Sequence, residues 1–424
     1  MSLDPTLAGS RPALPLWSRH RFIALILLSG MILQTGIWIR NFAVLLYVTD
    51  RTGGDPFAIT FIAIAEYAPI FLFSFLGGTL ADRWRPKKTM VWCDLLSALS
   101  VFLILGTLLL GSWQAVFFST LVSSILSQIS QPSAMKLFKL HLPEPQIPLA
   151  LSMYQTMMAL FMMGGPVLGT WVYVHWGIYT AIGLMGTAFV LSALVLSGIQ
   201  GDAEPEGSRP LSELWAEMRS ALGYVRTNRI LRITGVCFLL AGLGMGLVNP
   251  LGIFVIIEKL GLPKEDLQWL TGVNGAAMLI GGGLTIALTR KAAPQRILFA
   301  GMTVSVLAIA AIGMSNTLAG VLTAQFFCGL VLPGIQMSIN ALMLSHTEEG
   351  YIGRVNGLLS PLFMGSIVAT MSVSGWLKSM LPLSVLYYIA AFFFAAATLI
   401  MLPILRASRE ESRRQESSVR STPS

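Results

Sequence analysis

The chain has 424 residues, of which 54% are hydrophobic and only 11% charged, with a formal net charge of +8 and a mean hydropathy of +0.72. A soluble domain carries roughly 25% charged residues, so an ordinary cytosolic globule is excluded. Continuous apolar runs of about 20 residues, the length that crosses a bilayer, exclude a β-barrel as well, because barrel strands alternate in polarity over about ten residues.

Residues 1–21 form a polar N-terminal segment. The apolar run that follows is longer than the core of a signal peptide, about 7 to 15 residues, and reads as a retained first span. Spans are predicted at 22–48, 57–80, 87–110, 113–135, 148–173 and 178–198, which together make an N-terminal bundle over 22–198. The connection 199–229 opens with the turn-rich stretch Gly201 to Pro210. It continues with Leu211, Leu214, Met218, Leu222 and Val225 at helical spacing, which predicts an amphipathic helix along the membrane surface. Six further spans, at 230–256, 268–289, 296–315, 318–344, 355–376 and 384–404, make a second bundle over 230–404, and a polar tail occupies 405–424. The expected fold is an all-α integral membrane protein with twelve transmembrane helices in two six-helix pseudo-symmetric bundles.

Twelve spans put both termini on one side. With that side taken as inside, 23 of the 28 Lys and Arg residues fall in inside segments, so the positive-inside rule predicts cytoplasmic termini and a multi-pass protein of the plasma (inner) membrane. The positive net charge is thereby a matter of topology, and no nucleic-acid partner is expected. The three cysteines, Cys93, Cys237 and Cys328, lie far apart inside apolar runs, which indicates neither a disulfide framework nor a metal site. An offset of 205 residues superposes Gln131 on Gln336, Ser133 on Ser338, Leu137 on Leu342, His141 on His346, Glu144 on Glu349 and Ile147 on Ile352. The halves therefore read as parallel repeats, an arrangement known in transporters.

Between spans two and three the chain reads Gly77-Gly78-Thr79-Leu80-Ala81-Asp82-Arg83-Trp84-Arg85-Pro86-Lys87-Lys88. This resembles motif A of the major facilitator superfamily, and the six-plus-six layout is similar to that family over nearly the whole chain. The resemblance implies a conformational latch made by Gly78, Asp82 and Arg83 with Arg354 at the start of span eleven. Arg85 and Pro86 depart from the motif's usual Gly and Arg, and Ala287 stands where a second copy of Asp82 would fall. In span five, Gly164-Gly165-Pro166-Val167-Leu168-Gly169 resembles motif C, associated with the exporting, drug:proton antiporter branch, although Phe161 and Thr170 replace its outer glycines. Gly165, Pro166 and Gly169 are the residues that carry this likeness. Read without the family, the same glycines serve close helix packing and Pro166 bends the helix.

Ionisable groups within spans are functional hypotheses by default, since a charge at the bilayer centre costs at least about 2.5 to 3.5 kcal/mol. Glu66 falls near the midplane in span two and Arg40 in the outer half of span one. These are the proton-coupling candidates, with a purely structural Glu66–Arg40 ion pair as the alternative. Asp94 in span three is expected to form a structural salt bridge with the basic motif A loop. Gln34, Trp38, Tyr67, Asn249, Asn274 and Gln336 are the candidates for lining a substrate cavity, and the methionines of span five, from Met153 to Met163, suit an adaptable apolar surface.

No Walker loop or zinc-protease motif is present, so neither ATP-driven pumping nor hydrolase chemistry is indicated. The expected function is secondary active transport: proton-coupled efflux of small amphiphilic compounds, needing no cofactor and drawing on a proton gradient. Its partners would be the lipid bilayer and the substrate, with the oligomeric state open and a monomer sufficient. Uptake or lipid flipping on the same fold, and a non-transporting receptor or assembly factor, are the alternatives.

Overall fold

The computed structural model describes residues 16–199, 202, 211–403 and 405, except the side chains of 16–20, 74–83, 211–217 and 349. The N-terminal segment 1–15, most of the Gly201 to Pro210 stretch and the tail from 406 therefore lie outside the described residues. The first bundle contains α1 (Leu16–Thr52), α2 (Pro56–Arg83), α3 (Pro86–Leu109), α4 (Ala115–His141) and α5 (Ile147–Ser197). The last of these is two limbs joined at Gly177, whose φ of 74° breaks the helix. After α6 (Leu211–Thr227) the second bundle contains α7 (Arg229–Val248), α8 (Gly252–Phe254), α9 (Leu267–Thr289), α10 (Pro294–Met314), α11 (Leu318–Ser345), α12 (Ile352–Met380) and α13 (Leu383–Ile400). In lipid a spanning backbone must satisfy its own polar groups, which helices do.

Among the described residues ten helical stretches are long and apolar enough to cross a membrane. One of them, Glu144–Ser197, contains both limbs of α5, and α4, 27 residues long, packs between α2 and α3. This accounts for the twelve expected spans, with boundaries within about six residues of the predicted ones except that α7 ends at Val248, short of the predicted 256, and the chain continues in short turns to Lys259. We refer to the side carrying both termini as the terminal face and to the other as the opposite face.

The 205-residue repeat is geometric as well as sequential. The 3-10 turns Glu144–Gln146 and Glu349–Tyr351 and the helix starts Ile147 and Ile352 recur at that offset, as does the junction at Gly177 with the N-cap Pro382 of α13. His141 and His346 behave alike, each Nδ1 donating to the carbonyl one turn back, Leu137 at 3.1 Å and Leu342 at 3.0 Å.

The bundles meet where α2 packs on α12 and α5 on α9. Toward the opposite face, Gly375 of α12 lies against Pro56 and Thr60, and deeper in the membrane Gly275 of α9 lies against the Met162 and Met163 backbone. A single apolar cluster there joins Phe42, Leu46 and Ile59 of the first bundle to Leu247, Leu251, Phe254 and Leu267 of the second. At the terminal face α6 does not lie free along a surface. Its Val225 enters a cluster with Leu231, Met343, Val355 and Leu359, and Tyr224 stacks on Tyr351 with centroids 4.4 Å apart. Leu222, expected on the apolar face, is exposed, because the helix presents the Ala221 and Val225 side to the second bundle.

Close helix approach in the second bundle yields a stability prediction. A methyl group on Gly246 would collide with the carbonyl of Ile367 and the hydroxyl of Thr370, whereas one on Gly282 meets nothing within 4 Å. Gly246→Ala is expected to cost about 1 to 3 kcal/mol through overpacking, lowering the melting temperature of the detergent-solubilised protein, with Gly282→Ala unchanged or slightly stabilised.

Candidate functional site

The α1–α2 loop fixes the depth of the site. Gly53 and Gly54 take φ values of 62° and 82° and turn the chain so that Asp55 caps α2, accepting from the backbone N–H groups of Phe57 and Ala58, with Pro56 at the first helical position. Glu66 lies ten residues further on, about 15 Å along the axis and near the middle of a hydrocarbon core of about 30 Å. Arg40 and Asn41 lie at about the same depth below Thr52, counted along α1.

Glu66 is half-buried, and its Oε1 accepts a hydrogen bond from Nδ2 of Asn41 at 3.0 Å. The ion pair with Arg40, the alternative reading of these two residues, is not formed among the described residues. Among the described residues no salt bridge or hydrogen bond joins the two side chains. Arg40 is 3% exposed, and its Nε and Nη1 have no hydrogen-bond partner. The reason is helical phase: successive residues point about 100° apart. Gly36, one turn before Arg40, packs against Met185 and Ala188, and Val44, one turn after it, is in the core of the first bundle. Arg40 shares that face, while Asn41 turns to α2.

Beside Glu66, the Tyr67 hydroxyl accepts from Nδ2 of Asn249 at 3.2 Å, a contact between the two bundles. Two of the cavity candidates thus meet at the interface. Trp38 instead covers Gly165, and Asn274 ties α9 to α11 by donating to the Gln325 carbonyl at 3.3 Å. Gln34 is half-buried and Gln336 exposed, and neither is brought to Glu66 by a described hydrogen bond.

Gly165, Pro166 and Gly169 are buried. A methyl group on Gly165 would collide with the Trp38 ring, and one on Gly169 would sit 2.7 Å from the Trp38 carbonyl and 2.8 Å from Cβ of Phe42. The motif C-like segment therefore seats α1 on α5. Of the motif A residues, Gly78, Asp82 and Arg83 belong to α2, but their side chains lie outside the described residues. Arg354 in the first turn of α12 has its guanidinium 5.3 Å from the Tyr351 ring centroid.

Asp94 corrects a second expectation. Among the described residues it pairs with none of the basic loop, but is buried with Ser192 of the second α5 limb, whose hydroxyl donates to it at 2.6 Å. Lys87 of that loop is engaged elsewhere: its backbone N–H donates to Asp202 at 2.9 Å and its Nζ to the Ile199 carbonyl at 2.6 Å.

A clamp at the opposite face went unread in the sequence. Lys264, before α9, pairs with Asp50 at the end of α1, and the Tyr173 hydroxyl donates to Asp50 at 2.7 Å. The ammonium also lies 5.2 Å from the Tyr173 ring centroid. A depression of about 450 Å³, lined by residues including Tyr47, Asp50, Tyr173, Lys264 and Glu265, surrounds this clamp and not Glu66. Sequence order offers only that Asp50 and Lys264 both lie near span ends on the same side.

The twelve-helix repeat around a mid-depth site has a matching family. The family model described as Major Facilitator Superfamily matches residues 26–360 and 234–423. The chain belongs to the Major Facilitator Superfamily. It is a membrane transporter and not an enzyme. The chain is similar to the MFS-type transporter YkuC of Bacillus subtilis, 23% identical over 87% of this chain and 89% of that protein. It is also similar to macrolide efflux protein A of Streptococcus pyogenes, 22% identical over 81% and 84%. The multidrug efflux pump Tap of Mycobacterium tuberculosis is 23% identical over 74% and 77%. Among solved structures, the nucleoside transporter NupG superposes with a TM-score of 0.72 at 12% identity, covering 91% of this chain and 99% of that one. A bacterial homologue of the iron transporter ferroportin in an inward-facing state gives 0.69 at 15% identity, covering 91% and 98%. At these identities the structures share the fold.

The clamp can be tested by removing its cation. Exposed or half-exposed ion pairs contribute up to about 1 kcal/mol, so Lys264→Gln is expected to raise the population open at the opposite face by up to about fivefold. Distances between spin labels on the opposite-face ends of α1 and α9 would record this, and an unchanged distribution would remove the clamp from the conformational balance.

Proposed function

We propose that this transporter exports small amphiphilic molecules in exchange for protons, by alternating access of a site between the two bundles. The observation that carries the reading is Glu66, a half-buried carboxyl at mid-depth whose hydrogen-bond partner is a neutral carboxamide. A contacting guanidinium would hold the group ionised, whereas an amide can serve the acid and the anion alike. The next residue, Tyr67, touches Asn249 across the bundle interface, so a change of state at Glu66 occurs one residue from the moving surface. Proton flow down its gradient supplies the energy, and no cofactor is required.

Export as the direction is supported by the segment Gly164 to Gly169, with its likeness to motif C, and by the efflux proteins among the relatives. An amphiphilic substrate fits the scarcity of fixed charge at mid-depth. Glu66 and Arg40 are the ionic groups there, and Trp38, Tyr67 and the methionines of α5 supply aromatic and polarisable surface. Asp82, Arg83 and Arg354 belong to the same proposal as a latch on one conformational state, and the excess of Lys and Arg supports a cytoplasmic terminal face, within the same proposal of a plasma-membrane protein.

The test is transport in reconstituted vesicles, using a panel of lipophilic dyes and drugs beside sugars and amino acids, with and without an imposed pH gradient. Wild type is expected to accumulate an amphiphile only with the gradient. Glu66→Gln should abolish that uphill accumulation and retain substrate binding or downhill exchange, because the amide keeps the shape but cannot exchange a proton. Uphill transport by the variant at the wild-type rate would exclude Glu66 from coupling. For orientation, a single cysteine at Thr52 should label with an impermeant thiol reagent in intact cells, and single cysteines at Ser208 and Ser421 should not.

A further inference from the structure

Three groups of the first bundle converge on one ammonium of the second. Lys264 Nζ pairs with the Asp50 carboxylate, donates to the Leu46 carbonyl at 3.5 Å and lies 5.2 Å from the centroid of the Tyr173 ring. Leu46 and Asp50 are one turn apart near the end of α1, and Tyr173 belongs to the first limb of α5, on which α1 packs. The Tyr173 hydroxyl donates to Asp50 at 2.7 Å, so ring and carboxylate are tied together without the lysine. A carboxylate, a carbonyl oxygen and an aromatic face are what an alkylammonium, with several N–H donors and no acceptor, requires.

The first bundle supplies no cation of its own to this place. Arg51, next to Asp50 in sequence, is engaged one turn back. Its Nε donates to the Tyr47 hydroxyl at 3.2 Å and its guanidinium lies 5.4 Å from that ring centroid, and among the described residues it makes no ion pair with Asp50. Lys264, by contrast, has a second carboxylate on its own side, Glu265 at 3.9 Å. Separation of the bundles therefore leaves the lysine partnered and the three first-bundle groups anionic and vacant. The surrounding depression of about 450 Å³ is within the range of small-molecule sites, about 300 to 1,000 Å³, and Tyr179 adds a further ring to its wall.

We infer that the opposite face carries a seat for an organic ammonium, built from Asp50, Leu46 and Tyr173, which the side chain of Lys264 fills in the closed form and vacates when the bundles part. Lys264 is then both clamp and competitor. A cation moving outward from the central site meets an anionic, aromatic wall, and the returning lysine displaces it on closure. No covalent bond is made or broken. The inference rests on the export reading for the source of the cation. It adds a substrate class, amphiphiles carrying a protonated amine, and a second station on their way out, for which a neutral amphiphile has no use.

The test uses n-butylammonium, which reproduces the lysine side chain as a free molecule, with n-butanol as its uncharged counterpart. In the full-length protein in lipid nanodiscs, a single cysteine at Val174, which is exposed and lines the same depression, reports occupancy through its rate of reaction with a maleimide. In Lys264→Ala, titration with n-butylammonium is expected to slow labelling by at least about threefold against sodium at equal ionic strength, and n-butanol should not. The slowing should be lost in wild type, where the lysine fills the seat, and in Lys264→Ala combined with Asp50→Asn. Equal rates with n-butylammonium and sodium in Lys264→Ala, or protection that survives Asp50→Asn, overturn the inference. Lys264→Gln takes the same place should Lys264→Ala fail to fold. In vesicles, Asp50→Asn should lower export of a lipophilic amine relative to that of a neutral amphiphile by about threefold, a ratio that loss of the clamp alone does not move. An unchanged ratio overturns the role in export. Protection at Val174 with no export of any amphiphile would leave the seat standing and remove the export reading, and export without protection would do the reverse.

Discussion

The site depends on how closely α1 lies on the first limb of α5. Inside a bilayer there is no hydrophobic drive to bring two apolar helices together, and packing at short range does the work that water does elsewhere. Gly165 and Gly169 remove side chains where Trp38 and Phe42 arrive. That contact fixes the roll of α1. With Trp38 and Phe42 committed to α5, Asn41 is turned to α2 and Arg40 to the interior of the bundle. A larger residue at either glycine would change which polar group Glu66 meets, although neither glycine touches it.

The second bundle makes the same close approach with the roles of the helices exchanged. At the 205-residue offset Gly165 corresponds to Thr370 and Asn41 to Gly246. There it is α7 that carries the small residues: Gly242 packs on Phe363 and Ser366, and Gly246 on Ile367 and Thr370. This exchange gives a physical reason for the chemical inequality of the halves. An α7 that must stay bare at Gly246 has no room for a counterpart of Asn41, and Met245 and Thr271 stand where Arg40 and Glu66 would be. The second bundle contributes neutral or peripheral groups instead, Asn249 to Tyr67 and Lys264 to Asp50.

Much of this was readable from the chain before any coordinates. Span length and hydropathy follow from bilayer thickness and located all twelve helices. The repeat was visible because Gln131 to Ile147 and Gln336 to Ile352 retain both sequence and local geometry. What could not be read was phase and pairing. Arg40 and Asn41 are neighbours in sequence, and choosing which of them faces Glu66 requires knowing the roll of α1, set by glycines more than a hundred residues away. Charge alone points Asp94 at the nearest basic loop, yet Lys87 is engaged by Asp202 and Ile199 and the neutral Ser192 lies opposite. Asn274 has the composition of a cavity residue and the position of a helix tie.

Closure at the opposite face joins the site to the bundle interface. The Lys264–Asp50 pair is partly solvated, since Asp50 is half exposed, and such pairs contribute little. The apolar cluster beneath it is shared by both bundles, and separating it exposes apolar surface at about 25 cal/mol per Å² if water enters. A ligand or proton can shift such a two-state balance only by interacting differently with the two states. Glu66 is linked mechanically to that interface. Ile59, buried in the bridging cluster, lies two turns from Glu66 on the same face of α2, because seven residues nearly complete two helical turns. A roll of α2 that moves Glu66 therefore also moves Ile59, which shares its cluster with Leu251 and Phe254. Glu66 at mid-depth and the apolar closure at the opposite face are therefore joined through one face of one helix.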